Sequence, residues 1–171
     1  MWKKLAVTLV VCVVGLLAAF VFGPRETVDE TITFDPSAMG SDIDAYLAER
    51  EKSIPNLKPG AQKQIVWADP LTKARRPIAV VYIHGFSASL EEVRPLPDLI
   101  AKQLDANLYF TRLKGHGRDG PAMAEPSVND WYNDVAEAIS VGRAIGDTVV
   151  LVSTSTGGTL VSWALSKPEL S

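Results

Sequence analysis

Cysteine occurs once in the 171 residues, at Cys12, and histidine only at His84 and His116. One thiol cannot close a disulfide within the chain, and these three positions do not have the spacing of a zinc site. No metal is expected. A basic stripe is also missing. The 17 Lys and Arg stand against 20 Asp and Glu, a net charge of -3, and they are scattered along the chain. Nothing here would neutralise a phosphate backbone, so a nucleic-acid partner is excluded. No internal repeat is visible. Disorder is excluded as well, because 47% hydrophobic and 22% charged residues describe an ordinary globular domain carrying an extra apolar segment.

That segment runs without a charge from Leu5 to Phe22 and encloses Cys12. As a helix it would rise roughly 27 Å, close to the ~30 Å of bilayer hydrocarbon. A cleaved signal peptide is the competing reading, yet Ala18 and Ala19 are followed by Phe20-Val21-Phe22-Gly23-Pro24, a poor cleavage site. The flanks favour a retained anchor. Lys3 and Lys4 precede the run, while Arg25 with Glu26, Asp29 and Glu30 follow it, so the positive-inside rule puts the N-terminus inside and the remainder outside. In a bacterium that location is the inner membrane with the domain on the periplasmic side, and signal cleavage would instead give a secreted form. The chain divides into an anchor (1–24), a linker with a short helix (25–60) and the start of a globular domain (61–171).

Gly23 to Gly40 is polar, carries Pro24 and Pro36, and suits a juxtamembrane linker. Ser41-Asp42-Ile43-Asp44 begins a short helix that Pro55 stops, and Gln64 to Ala68 is a strand candidate. The pattern then changes. Ile78 to Ile83 is a nearly continuous β-branched run, as in a strand buried on both faces, and Ala106 to Thr111 and Thr148 to Val152 resemble it. Between the first two, Leu90, Val93, Leu96, Leu99, Ile100 and Leu104 recur at helical spacing; between the last two, Val128, Trp131, Val135, Ala138 and Ile139 do the same. Strands alternating with helices predict a parallel sheet covered on both faces. Ser127 with Asp130 three residues on predicts a helix cap.

The third buried strand runs directly into Ser153-Thr154-Ser155-Thr156-Gly157-Gly158, after which Leu160, Val161 and Ala164 mark a helix. Strand, sharp turn and helix is the setting of a nucleophile elbow, with Ser155 at its tip. Such a turn brings strand and helix so close that only small residues fit beside the serine, and Ser153, Gly157 and Gly158 meet that need. Ser153 stands where the G-x-S-x-G pattern has glycine. A plain helix cap built from Ser153 or Thr154 explains the same residues structurally. A phosphate-binding loop does not, for want of its lysine and glycine spacing.

A second element stands at the end of the first buried strand, His84-Gly85-Phe86-Ser87. With Val80 to Phe86, Arg112-Leu113-Lys114-Gly115-His116-Gly117, Asp130 to Val135 and Val149 to Gly158, the chain from about Ile65 to Ser166 resembles the α/β-hydrolase superfamily. Within it, the resemblance is to bacterial carboxylesterase and monoacylglycerol lipase-like enzymes. It implies a mostly parallel sheet, truncated here, with helices on both faces, preceded by the transmembrane helix. It also implies Ser155 as nucleophile and the N–H groups of Phe86 and Thr156 as an oxyanion hole. His84 and Gly85 would support that loop, with no cofactor required. Preorganised N–H donors fit the charge that ester attack places on a carbonyl oxygen. His84 is not expected to be the base, because the superfamily orders its triad serine, acid, histidine. His116 is expected to be structural or to rim the pocket. Asp119, Asp130 and Asp134 read as surface or capping acids.

In the superfamily the triad acid and histidine lie after further strands beyond the nucleophile, and neither partner is reached by Ser171. The expectation is that the 171 residues are the front part of a serine esterase or lipase-like enzyme and are inactive alone. Its partners would be a lipid or small-molecule ester and the membrane. The alternative is a catalytically silent, membrane-tethered protein that keeps the fold as a binding or scaffold module.

Overall fold

A computed structural model describes residues 2–171. Helix α1 (Trp2–Phe22) buries none of its residues and is uncharged from Leu5 onward, so it is long and apolar enough to cross a membrane or to act as a signal sequence. Helix α2 (Ile43–Lys52) starts where Asp42 accepts the Ala45 N–H at 2.9 Å. Strands β1 (Gln64–Val66), β2 (Arg76–Ile83), β3 (Asn107–Phe110) and β4 (Gly146–Ser153) form one sheet in the order β1-β3-β2-β4. β2 runs parallel to β3 and to β4, while β1 is an antiparallel edge on β3.

Helix α3 (Leu96–Gln103) connects β2 to β3, helix α4 (Val128–Ile145) connects β3 to β4, and helix α5 (Thr156–Leu165) follows β4. Strand residues alternate between faces. Val81, Ile83 and Tyr109 therefore join α4 and α5 in one core, whereas Val80, Tyr82, Leu108 and Phe110 meet Leu90 and the α3 residue Ala101 in the other. The crossover from β2 to β3 and the one from β3 to β4 run in opposite lateral directions, which puts α3 on one face and α4 with α5 on the other. The loops after β2 and β4 thus part to opposite faces from neighbouring strands, the switch point at which open α/β sheets bind ligands.

Two expectations are corrected. The helical pattern beginning at Leu90 becomes a helix only at Leu96, because Pro95 drives Arg94 before it out of the helical region and Pro95 itself becomes the N-cap. Leu90 is buried all the same, held in turns above the second core. The polar segment after α1 is no loose tether. Glu26 accepts the N–H of Val128 at 2.9 Å, Asn129 donates to the carbonyls of Asp29 and Thr31, and Asn133 accepts from Thr33 and Phe34. Residues 26–34 lie as a strap along the first turns of α4, whose Ser127–Asp130 capping box is formed as anticipated.

Candidate active site

β4 ends at Ser153 and α5 begins at Thr156, so Ser155 occupies a two-residue bend between them. Its φ of 47° and ψ of -116° lie in a region L-residues rarely adopt, and such strain gathers at functional sites. The residue is exposed, and its hydroxyl does not cap the helix that follows. The bend is held from both sides: Thr154 N–H donates to the carbonyl of Ile83 at 3.2 Å, and Gly157 N–H to that of Thr154 at 2.8 Å.

The bend closes onto the end of β2. A Cβ placed on Gly157 would meet the carbonyl oxygens of Ile83 at 2.3 Å and His84 at 2.7 Å, so the start of α5 can approach β2 only with glycine there. A Cβ on Gly158 would have only the Ser153 hydroxyl at 3.6 Å, an undemanding contact. Opposite, a Cβ on Gly85 would stand 3.4 Å from the Cβ of Ser155. The 84–87 loop and the Ser155 bend are therefore in van der Waals range. Phe86 projects outward, 56% exposed, with its ring edge-on to Trp131 of α4 at 6.2 Å and to His116 at 6.1 Å. Thr156 opens α5, where the helix dipole favours negative charge.

The two histidines are built into the walls. Leu113 N–H donates to His84 Nε2 at 3.1 Å, so Nδ1 carries the proton and meets the Gly85 carbonyl at 2.8 Å. In reverse, Ser87 N–H donates to His116 Nε2 at 3.1 Å, while Nδ1 faces the Lys114 carbonyl at 3.2 Å. Each histidine thus pins the other's loop, with the rings 4.7 Å apart. Burial drives the His84 pKa down to about 4 and lowers that of His116, so both rings are neutral at pH 7. With both ring nitrogens of each engaged, neither has a nitrogen free for a serine.

Sequence reasoning missed Glu92. Its Oε2 accepts the Gly85 N–H at 2.8 Å and the Tyr82 hydroxyl at 2.9 Å, and Tyr82 in turn lies 3.2 Å from the Thr154 hydroxyl. One carboxylate thereby couples the two loops. Nothing in the pattern marked it, since Glu91-Glu92 reads as the polar face of a helix. Asp134 was misjudged in the opposite direction: it is largely buried and lies 3.3 Å from the ammonium of Lys63, which also pairs with Glu137. Glu137 accepts from the Tyr46 hydroxyl at 2.5 Å. Beside this group Glu51 and Arg112 form a bidentate pair, both contacts 2.8 Å. The network locks α2 and the approach to β1 against α4 and the loop after β3.

No family model matches the chain. Its fold is nevertheless α/β-hydrolase-like, and the chain is similar to lipolytic enzymes. The chain is 31% identical over 93 residues to the thermostable monoacylglycerol lipase of Bacillus sp. (strain H-257), an overlap of 54% of this chain and 37% of the lipase. A solved structure described under LipS and LipT, two metagenome-derived lipolytic enzymes, superposes with a TM-score of 0.54 at 28% identity, covering 63% of this chain and 41% of its own. The chain thus spans well under half the length of either relative.

Proposed function

We propose that this chain supplies the nucleophile half of a serine hydrolase that cleaves carboxylic esters. Ser155 attacks the acyl carbon, and the N–H groups of Phe86 and Thr156 receive the oxyanion, each such donor contributing about 3 kcal/mol in the transition state. His84 and Gly85 shape the loop that presents Phe86. Ser153, Gly157 and Gly158 leave room for the bend. Activating the hydroxyl takes a histidine and an acid in addition to the groups described here, because His84 and His116 are engaged elsewhere. The reading assigns residues 1–24 to a retained anchor, 25–60 to the connecting segment and 61–171 to the hydrolase domain, held on the periplasmic side of a bacterial inner membrane.

One observation carries this reading: an exposed serine in a strained bend at the sheet's switch point, with the Gly85 backbone against it. Two lipolytic relatives agree with it. The test is hydrolysis of short-chain and monoacyl esters by a form of the protein extended to the length of those relatives. Ser155→Ala should reduce turnover by about 10⁶-fold, as loss of a triad nucleophile does elsewhere. Turnover that survives the substitution would point to another nucleophile, and absence of turnover in the unsubstituted protein to a silent scaffold.

A further inference from the structure

The mouth of the site and the root of the anchor share one end of the molecule. α4 joins two parallel strands, so it runs antiparallel to them, and its first residue sits beside the ends of β2 and β4 where Phe86 and Ser155 lie. The strap reaches that same point, since Glu26 binds the N–H of Val128. Only Gly23, Pro24 and Arg25 separate Glu26 from Phe22, the last residue of α1. Fully extended, those four steps span about 14 Å at most. From Val128 to Trp131 α4 rises only about 4.5 Å. Trp131 then carries the ring contact with Phe86.

We infer that the anchor and strap hold the Phe86–Trp131 mouth toward the bilayer into which α1 inserts. The surface that this mouth meets is lipid, and the esters it receives are amphiphiles resident in that leaflet, delivered without crossing bulk water. Exposed Phe86 offers an apolar ring, and the half-buried indole of Trp131 is of the amphipathic kind that accumulates in the headgroup region. The opposite end of the domain faces away. Leu71, 95% exposed before the start of β2, lies roughly 25 Å further out, the length of that strand. This inference rests on α1 being retained, and its ester clause on the hydrolase reading.

The test uses the whole chain, with Cys12→Ser, reconstituted into phosphatidylethanolamine/phosphatidylglycerol vesicles whose headgroups carry an energy-transfer acceptor. A donor dye is attached in turn through Phe86→Cys and Ala124→Cys at the mouth end, and through Leu71→Cys and Asp147→Cys at the far end. Flotation with the vesicles, with transfer at least about two-fold greater from 86 and 124 than from 71 and 147, is expected from the strand-length offset. Equal or reversed transfer in floating protein overturns the orientation and leaves the hydrolase reading intact. Protein that loses α1 and stays in solution overturns the inference by removing its tether. Failure of Ser155 to act on esters leaves the energy-transfer result unchanged, so the two ideas fail separately.

Discussion

A methyl group at Gly157 would stand 2.3 Å from the carbonyl oxygen of Ile83. In an isolated helix, glycine to alanine stabilises by up to about 1 kcal/mol. Here the obstacle is backbone, which cannot rotate aside. Gly157→Ala should therefore destabilise the fold by about 2–3 kcal/mol, as overpacking does, whereas Gly158→Ala, facing only the Ser153 hydroxyl at 3.6 Å, should be near neutral. Urea denaturation of both variants decides the matter.

Ser155 should be more costly to the fold than glycine would be. Its φ of 47° and ψ of -116° strain any residue with a Cβ. Ser155→Gly is expected to raise stability by about 1 kcal/mol, the relieved strain less the chain entropy of glycine. Ser155→Ala should leave it almost unchanged, because the hydroxyl caps nothing. Thermal denaturation of the two variants separates strain from lost hydrogen bonding.

Acid should loosen the walls of the site. His84 has a folded pKa near 4 against an ordinary 6.5, so below 6.5 the unfolded chain binds protons that the folded chain refuses. Its stabilising contribution is complete above pH 6.5 and disappears as pH falls toward 4, a loss of about 3 kcal/mol. His116 pulls in the same direction. Stability measured by denaturation should fall across that window, and His84→Gln should flatten most of the slope.

The buried ion network should respond to the loss of one partner more than to the loss of a pair. Burial opposes the charge on Lys63, yet Asp134 and Glu137 beside it outweigh that and hold it as ammonium. Lys63→Met removes the ammonium that Asp134 and Glu137 share, leaving Glu137 with Arg50 at 3.2 Å as its remaining cation, and should cost about 3 kcal/mol. Adding Glu137→Gln should recover part of the loss, a coupling that a double-mutant cycle measures directly.

How far this was legible from sequence depended on whether a residue's role is local. The continuous run Ile78–Ile83 and the serine–glycine turn at 153–158 carry their meaning in neighbouring residues, and the sheet and the bend lie where those patterns put them. Glu92 and Lys63 do not. Their partners lie on other elements, Gly85 and Tyr82 at the end of β2 for Glu92 and Asp134 and Glu137 on α4 for Lys63. A charged residue in a polar stretch looks the same whether it is solvated or buried. Residues 26–34 hid for a similar reason: an extended strap held by asparagine side chains has no periodicity, so it reads as a linker.

The most direct measurement is covalent labelling by a fluorophosphonate, which requires an activated serine. The probe is offered to a form extended to the length of the lipolytic relatives, and the modified peptide is located by mass spectrometry. A single adduct on Ser155, abolished by Ser155→Ala and by unfolding, is the predicted result. An adduct on a different serine, or none in a folded protein, would contradict the assignment of Ser155 as the nucleophile.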